Sequence, residues 1–136
     1  MIRIIMSIGL LLSVNLFADL IIDGTMEYSK DNKIKAMNLW IQACDGGDME
    51  GCYFAGIRYD EGDGVSQDRV KARELYTKSC NGGSMGGCYL LGQLYANGHG
   101  VRQDKSRAKE LFGLACDKGN EGGCERYKIL NEEGVK

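Results

Sequence analysis

Six cysteines carry the most evident chemistry in this sequence: Cys44, Cys52, Cys80, Cys88, Cys116 and Cys124. Thiols can exchange disulfides, hold zinc or form structural bridges. Redox pairs usually have two residues between them, as C-x-x-C, and zinc needs ligands gathered in clusters. Here the gaps alternate between 8 and 28, so the pattern repeats every 36 residues. That period selects one pairing: Cys44–Cys52, Cys80–Cys88 and Cys116–Cys124, one bridge per unit. Closing a loop of about nine residues stabilises by roughly 2–3 kcal/mol in the chain-entropy model. The one histidine, His99, lies between Gly98 and Gly100. A lone loop histidine makes no metal set, so neither a metal nor a cofactor is expected.

The period extends beyond the cysteines. Residues 36–71 and 72–107 share 16 identities over 36 positions. A period of this length marks stacked supersecondary units. Within each unit the apolar residues fall at helical spacing. One helix, called A, contains Ala36, Leu39, Trp40, Ala43 and Cys44. Its copies contain Ala72, Leu75, Tyr76, Ser79 and Cys80, then Ala108, Leu111, Phe112, Ala115 and Cys116. Asn32, Asp68 and Asp104 stand at its start as N-caps, and Gly47, Gly83 and Gly119 at its end as stops. Asp48, Ser84 and Asn120 then open a second helix, B. Gly56 and Gly92 recur inside helix B, where glycine costs about 1 kcal/mol against alanine. Their recurrence predicts a close approach of two helix backbones. The two cysteines of each unit sit at the end of A and one turn into B, opposite one another in an antiparallel hairpin.

The chain has 136 residues, with 17 basic and 19 acidic side chains, 20 Gly and no Pro. Such near-neutral charge argues against a nucleic-acid binder. The composition excludes a collagen-like, Pro-rich or disordered acidic chain. Residues 1–18 begin with Met-Ile-Arg, continue as an apolar run and end at Ala18, the pattern of a signal peptide. The run is shorter than the roughly 20 apolar residues of a spanning helix, so no membrane span is expected after processing. Cleavage is predicted between Ala18 and Asp19. Loss of Arg3 leaves 16 basic against 19 acidic residues, a net charge of −3. Export, secreted or periplasmic, places the cysteines where disulfides persist.

The run Ala55-Gly56-x-x-Tyr59-x-x-Gly62-x-Gly64-Val65-x-x-Asp68, continued by Ala72, Leu75, Tyr76, Ser79 and Cys80, resembles the Sel-one-like repeat, a relative of the tetratricopeptide repeat. The stretch from Leu91 through Gly98-x-Gly100-Val101 and Asp104 to Cys116 is similar to it as well. With its cysteine pair eight apart and its signal peptide, the chain resembles the Helicobacter cysteine-rich protein family. The expected organisation is a leader at 1–18, an N-terminal capping helix at 19–31, repeat 1 at 32–67, repeat 2 at 68–103, and repeat 3 with a C-terminal cap at 104–136. The fold class is all-α, an α/α superhelical solenoid of helical hairpins. Glu125, Lys128 and Asn131 replace the Tyr, Gly and Tyr of inner units, as suits an end with no neighbour.

The resemblance implies two functions that pull apart. Helical repeats of this kind are scaffolds for peptides and proteins. The cysteine-rich branch is associated with penicillin binding and weak hydrolysis of β-lactams. A zinc β-lactamase needs several histidines, which excludes that route here. A serine β-lactamase needs S-x-x-K, and Ser106-Arg-Ala-Lys109 matches it. Tyr95-Ala96-Asn97 matches the Y-x-N element of such enzymes, but in reversed order, and Tyr95 is already a repeat core residue. Ser106 and Lys109 are therefore the only catalytic candidates, supported by spacing alone.

Charge offers a binding surface instead. The three A helices (32–44, 68–80, 104–116) hold nine basic and four acidic residues. Their outward positions Arg69, Arg73, Lys105 and Lys109 are expected to form a cationic groove. Its ligand would carry carboxylates: an acidic peptide, a protein partner or a β-lactam.

Overall fold

The computed structural model describes the backbone from residue 2 and the side chains from residue 16 to the C-terminus. Seven helices follow one another, with no strand among the described residues: α1 (Ile2–Ser29), α2 (Lys33–Asp45), α3 (Met49–Glu61), α4 (Arg69–Asn81), α5 (Met85–Asn97), α6 (Lys105–Asp117) and α7 (Glu121–Glu132). Helices α2, α4 and α6 are the A helices; α3, α5 and α7 are the B helices. Each helix packs chiefly on the one before it and the one after it. The result is an all-α solenoid of hairpins.

Local chemistry sets the boundaries. The carboxylates of Asp68 and Asp104 accept from the backbone N–H of Lys71 and Arg107. Asp48, Ser84 and Asn120 cap the B helices through Glu50, Gly87 and Gly123. Asn32 departs from this pattern. It makes no cap bond, and its side-chain amide donates instead to Glu27 at 2.7 Å. Gly47, Gly83 and Gly119 hold φ of +97°, +96° and +92°, the left-handed turn that lets α3, α5 and α7 double back.

The core is a chain of three small clusters. Trp40, Met37, Ala36 and Ala55 form the first, Tyr76, Leu91, Leu94 and Leu111 the second, and Phe112, Ala108 and Leu130 the third. The role of the helix-B glycines follows from these. A methyl group on Gly56 would lie 2.7 Å from the Tyr76 ring, and one on Gly92 would lie 2.8 Å from Phe112. The expected contact of two backbones is thus a backbone receiving the large aromatic ring of the next A helix.

Gly24 of α1 does the same for Trp40, whose Nε1 would lie 2.6 Å from a methyl group there. Trp40, Tyr76 and Phe112 are 36 residues apart, but Gly24 precedes Gly56 by 32. The second half of α1 is therefore a B helix, brought four residues closer because the turn before α2 is short. In that register Leu20 stands where Cys52 and Cys88 stand, so this helix carries no bridge. Asp19 and Asp23 occupy the places of Gly51 and Ala55, both buried in the inner repeat. Both carboxylates are exposed here and keep that face of the helix wet. Helix α1 also runs unbroken through the expected cleavage point, with Phe17 packed on Gly46.

Candidate ligand surface

The turn of every hairpin is held covalently. Cys44–Cys52, Cys80–Cys88 and Cys116–Cys124 are bonded, with Cα atoms 4.7, 4.5 and 4.5 Å apart, and no cysteine is free among the described residues. The bridged cysteines join A to B at the same height in each unit. They are structural, since no thiolate remains to act as nucleophile or ligand. Among the described residues no group of His, Cys, Asp and Glu could hold a metal ion.

The cationic positions singled out by sequence are mostly engaged inside the protein. Arg69 Nε lies 3.3 Å from Asp60 Oδ1, and Lys105 Nζ lies 3.4 Å from Glu133 Oε2. Lys109 donates to Asn131 Oδ1 at 2.9 Å and to the Val135 carbonyl at 2.7 Å, over the ring of Tyr127. Arg73 is half-buried, with no ion pair among the described residues. Their partners are the carboxylates of Asp60 and Glu133, the Asn131 amide and the Val135 carbonyl, all at or beyond the C-terminal ends of B helices. Lys109 is thereby engaged by the C-terminal segment. Ser106 is exposed on α6, and the ammonium that would serve it as base is held at the C-terminal segment. Tyr95 packs between the second and third core clusters.

A second set of cations was missed by the sequence reading, although the period marks it. Lys35, Lys71 and Arg107 are 36 residues apart, one on each A helix, and all three are exposed. Beside them stand Ile34, Val70 and Ser106, with Ile34 72% and Val70 48% exposed. Lys35 reaches Glu27 at 3.4 Å, Arg107 reaches Glu110 at 2.8 Å, and Lys71 lies over the Tyr59 ring. The Arg107–Glu110 pair is exposed on both sides, so it is worth under about 1 kcal/mol and exchanges readily for another anion.

One ionic cluster is tighter. The Tyr28 hydroxyl donates to Asp63 Oδ2 at 2.6 Å, and Arg58 NH1 donates to that hydroxyl at 2.7 Å and to Asp63 Oδ2 at 2.9 Å. Lys33 Nζ lies 2.7 Å from Asp63 Oδ1. Lys33 first, then Tyr28 and Arg58, hold the Asp63 carboxyl down to about 2. The cluster ties α1, α2 and α3 together through three contacts to the Asp63 carboxylate, so it is a structural joint.

Among the described residues no helix is long and apolar enough to cross a membrane. The Sel1 repeat matches residues 16–48, 50–84 and 86–120, well over half of the chain. Each match runs from a B helix into the following A helix, and the first begins in the second half of α1. No curated protein matches the chain. Among solved structures, the Sel1 repeat protein from Oxalobacter formigenes is 24% identical with a TM-score of 0.78, covering 93% of this chain and 98% of that one. The protein c5321, a protective antigen of uropathogenic Escherichia coli displaying an SLR fold, is 29% identical with a TM-score of 0.73. That match covers 79% of this chain and 24% of c5321. Helicobacter pylori cysteine-rich protein B is 27% identical with a TM-score of 0.69, covering 86% of this chain and 93% of that protein. The 36-residue hairpins, their glycine–aromatic contacts and these matches together show that the chain belongs to the Sel1 repeat family.

Proposed function

We propose that this protein is an exported binding scaffold whose ligand surface is the outward side of the three A helices. Its leader ends at Ala18, and it works in an oxidising compartment, secreted or periplasmic. The observation that carries this reading is the row Lys35, Lys71 and Arg107 with Ile34 and Val70 alongside: equivalent exposed positions, one per repeat, each a cation next to an accessible contact. A periodic row of this kind suits an extended acidic peptide, whose carboxylates meet successive cations. A β-lactam is a smaller carboxylate of the same class. Its hydrolysis is not part of the proposal, because Lys109 is engaged with Asn131 and Val135 rather than with Ser106.

A fluorescent poly-glutamate peptide tests the reading. Binding is expected to weaken as salt rises and to drop several-fold in Lys71→Glu. Binding indifferent to both overturns it. Turnover of a chromogenic β-lactam that survives purification and disappears in Ser106→Ala would replace the scaffold reading with an enzymatic one.

A further inference from the structure

A cleft of about 240 Å³ opens between α5 and α7, on the side of the solenoid lined by the B helices. Its walls mix apolar Ala96, Phe112, Ile129 and Leu130 with the amides of Gln93 and Asn97. Phe112 and Leu130 are buried to 1% and 7% exposure. Its rim holds Lys105, Arg126 and Glu133. Arg126 is exposed and has no ion pair among the described residues, and Lys105 reaches Glu133 at 3.4 Å with both side chains about half exposed. The rim is thus net positive beside a partly apolar wall.

The repeat shows what is special here. One unit earlier, Tyr76 stands in place of Phe112, Asp60 in place of Ala96 and Leu90 in place of Arg126. Tyr76 is buried, and its phenol is raised well above its ordinary range, by burial first and then by the charges of Asp60 and Glu61. Arg69, in the place of Lys105, pairs with Asp60. Hydroxyl, carboxylate and ion pair occupy in the inner repeat the positions that line the cleft in the last one. Phe112 and Ala96 remove the hydroxyl and the carboxylate, and Arg126 adds a cation.

We propose that this cleft binds a small carboxylate joined to an aromatic or branched apolar group. The apolar group lies against Ile129 and Ala96, and the carboxylate meets Arg126 and Lys105. A cavity of about 150 Å³ accepts benzene, so the volume suffices for one ring and a short carboxylate arm. The same chemistry is carried by a free aryl acid and by the C-terminal residue of a peptide. The proposal is independent of the row Lys35, Lys71 and Arg107, none of which lines the cleft.

Titration of the isotope-labelled protein with 3-phenylpropionate, followed by amide NMR shifts, tests it. Saturable shifts are expected at Ala96, Asn97 and Ile129, with affinity in the millimolar range that suits so few atoms. The methyl ester is expected not to saturate. Arg126→Gln should weaken binding about 2- to 5-fold. Ala96→Asp, which restores the inner-repeat residue, should abolish it, and Lys71→Glu should leave it unchanged. The spectra of the variants report whether each is folded. Parallel titration with N-acetylphenylalanine separates the sources. Binding of both assigns a peptide C-terminus, and binding of the free acid alone assigns a small molecule. Absence of saturation, equal binding of the ester, or undiminished binding to folded Ala96→Asp overturns the proposal.

Discussion

The first junction between a B helix and the next A helix, α1 to α2, differs from the two that follow it. At α3–α4 and α5–α6 the chain makes the same turn twice. Gln67 and Gln103 donate side-chain amides to the carbonyls of Asp60 and Ala96, and the N–H groups of Asp68 and Asp104 donate to Tyr59 and Tyr95. Gly62 and Gly98 stop the B helix at φ near +70°. At α1–α2 that turn is absent, and Tyr28, Lys33, Arg58 and Asp63 hold the joint instead. Leu94 and Leu130 occupy the place of Arg58 in the later units. The two buried polar atoms without a partner among the described residues, Trp40 Nε1 and Arg58 Nε, both belong to the first joint. The same glycine–aromatic stacking can thus be secured by a hydrogen-bonded turn over an apolar core or by an ionic cluster. The second solution leaves polar groups unpaired, which costs stability.

The hairpin bridges offer the largest break. Reduction of all three disulfides is expected to remove roughly 2–3 kcal/mol per bridge in the chain-entropy model, read as a fall in the urea midpoint. None of the bridges spans the first joint, so α1 should lose no more amide protection than this global loss requires. Next comes Gly92→Val, whose side chain meets Phe112 and should cost about 1–3 kcal/mol by overpacking. Gly24→Val against Trp40 should cost less, because an end joint can open without unstacking the remainder. Denaturant melts of the two variants compare them directly. The third test is pH. The Asp63 carboxyl is depressed in the fold from 3.8 to about 2, so its stabilisation is present above its unfolded value and is lost as pH falls through that window. Acid should therefore loosen α1 before the later junctions, and Asp63→Asn should remove that step. The smallest effect is expected from Lys105→Gln, whose half-exposed partner Glu133 makes the pair worth under about 1 kcal/mol.

Much of this was legible in the residues. The spacing of the cysteines gave the hairpins and their pairing, because a covalent bridge must recur at one height in every unit. The caps Asp68, Asp104, Asp48, Ser84 and Asn120 were legible because a side-chain acceptor at a helix start has local geometry. Asn32 was not, because a competing partner, Glu27, lies in the preceding helix. The B-helix character of α1 was hidden by a deletion of four residues and by Leu20 in place of cysteine, which together break the period. The cationic surface was legible only as composition. Which lysines stay free depends on carboxylates and carbonyls contributed by neighbouring helices, and those distances are tertiary.

The closures of only nine residues also decide how the molecule fails under attack. A protease that cuts inside residues 45–51, 81–87 or 117–123 leaves both ends tethered through sulfur, and no fragment departs. A cut between closures, in the turns at 62–68 or 98–104, severs the chain outright. Survival of nicked protein in a hostile fluid should therefore depend on which turn is struck, and thiol exposure would convert every harmless nick into release.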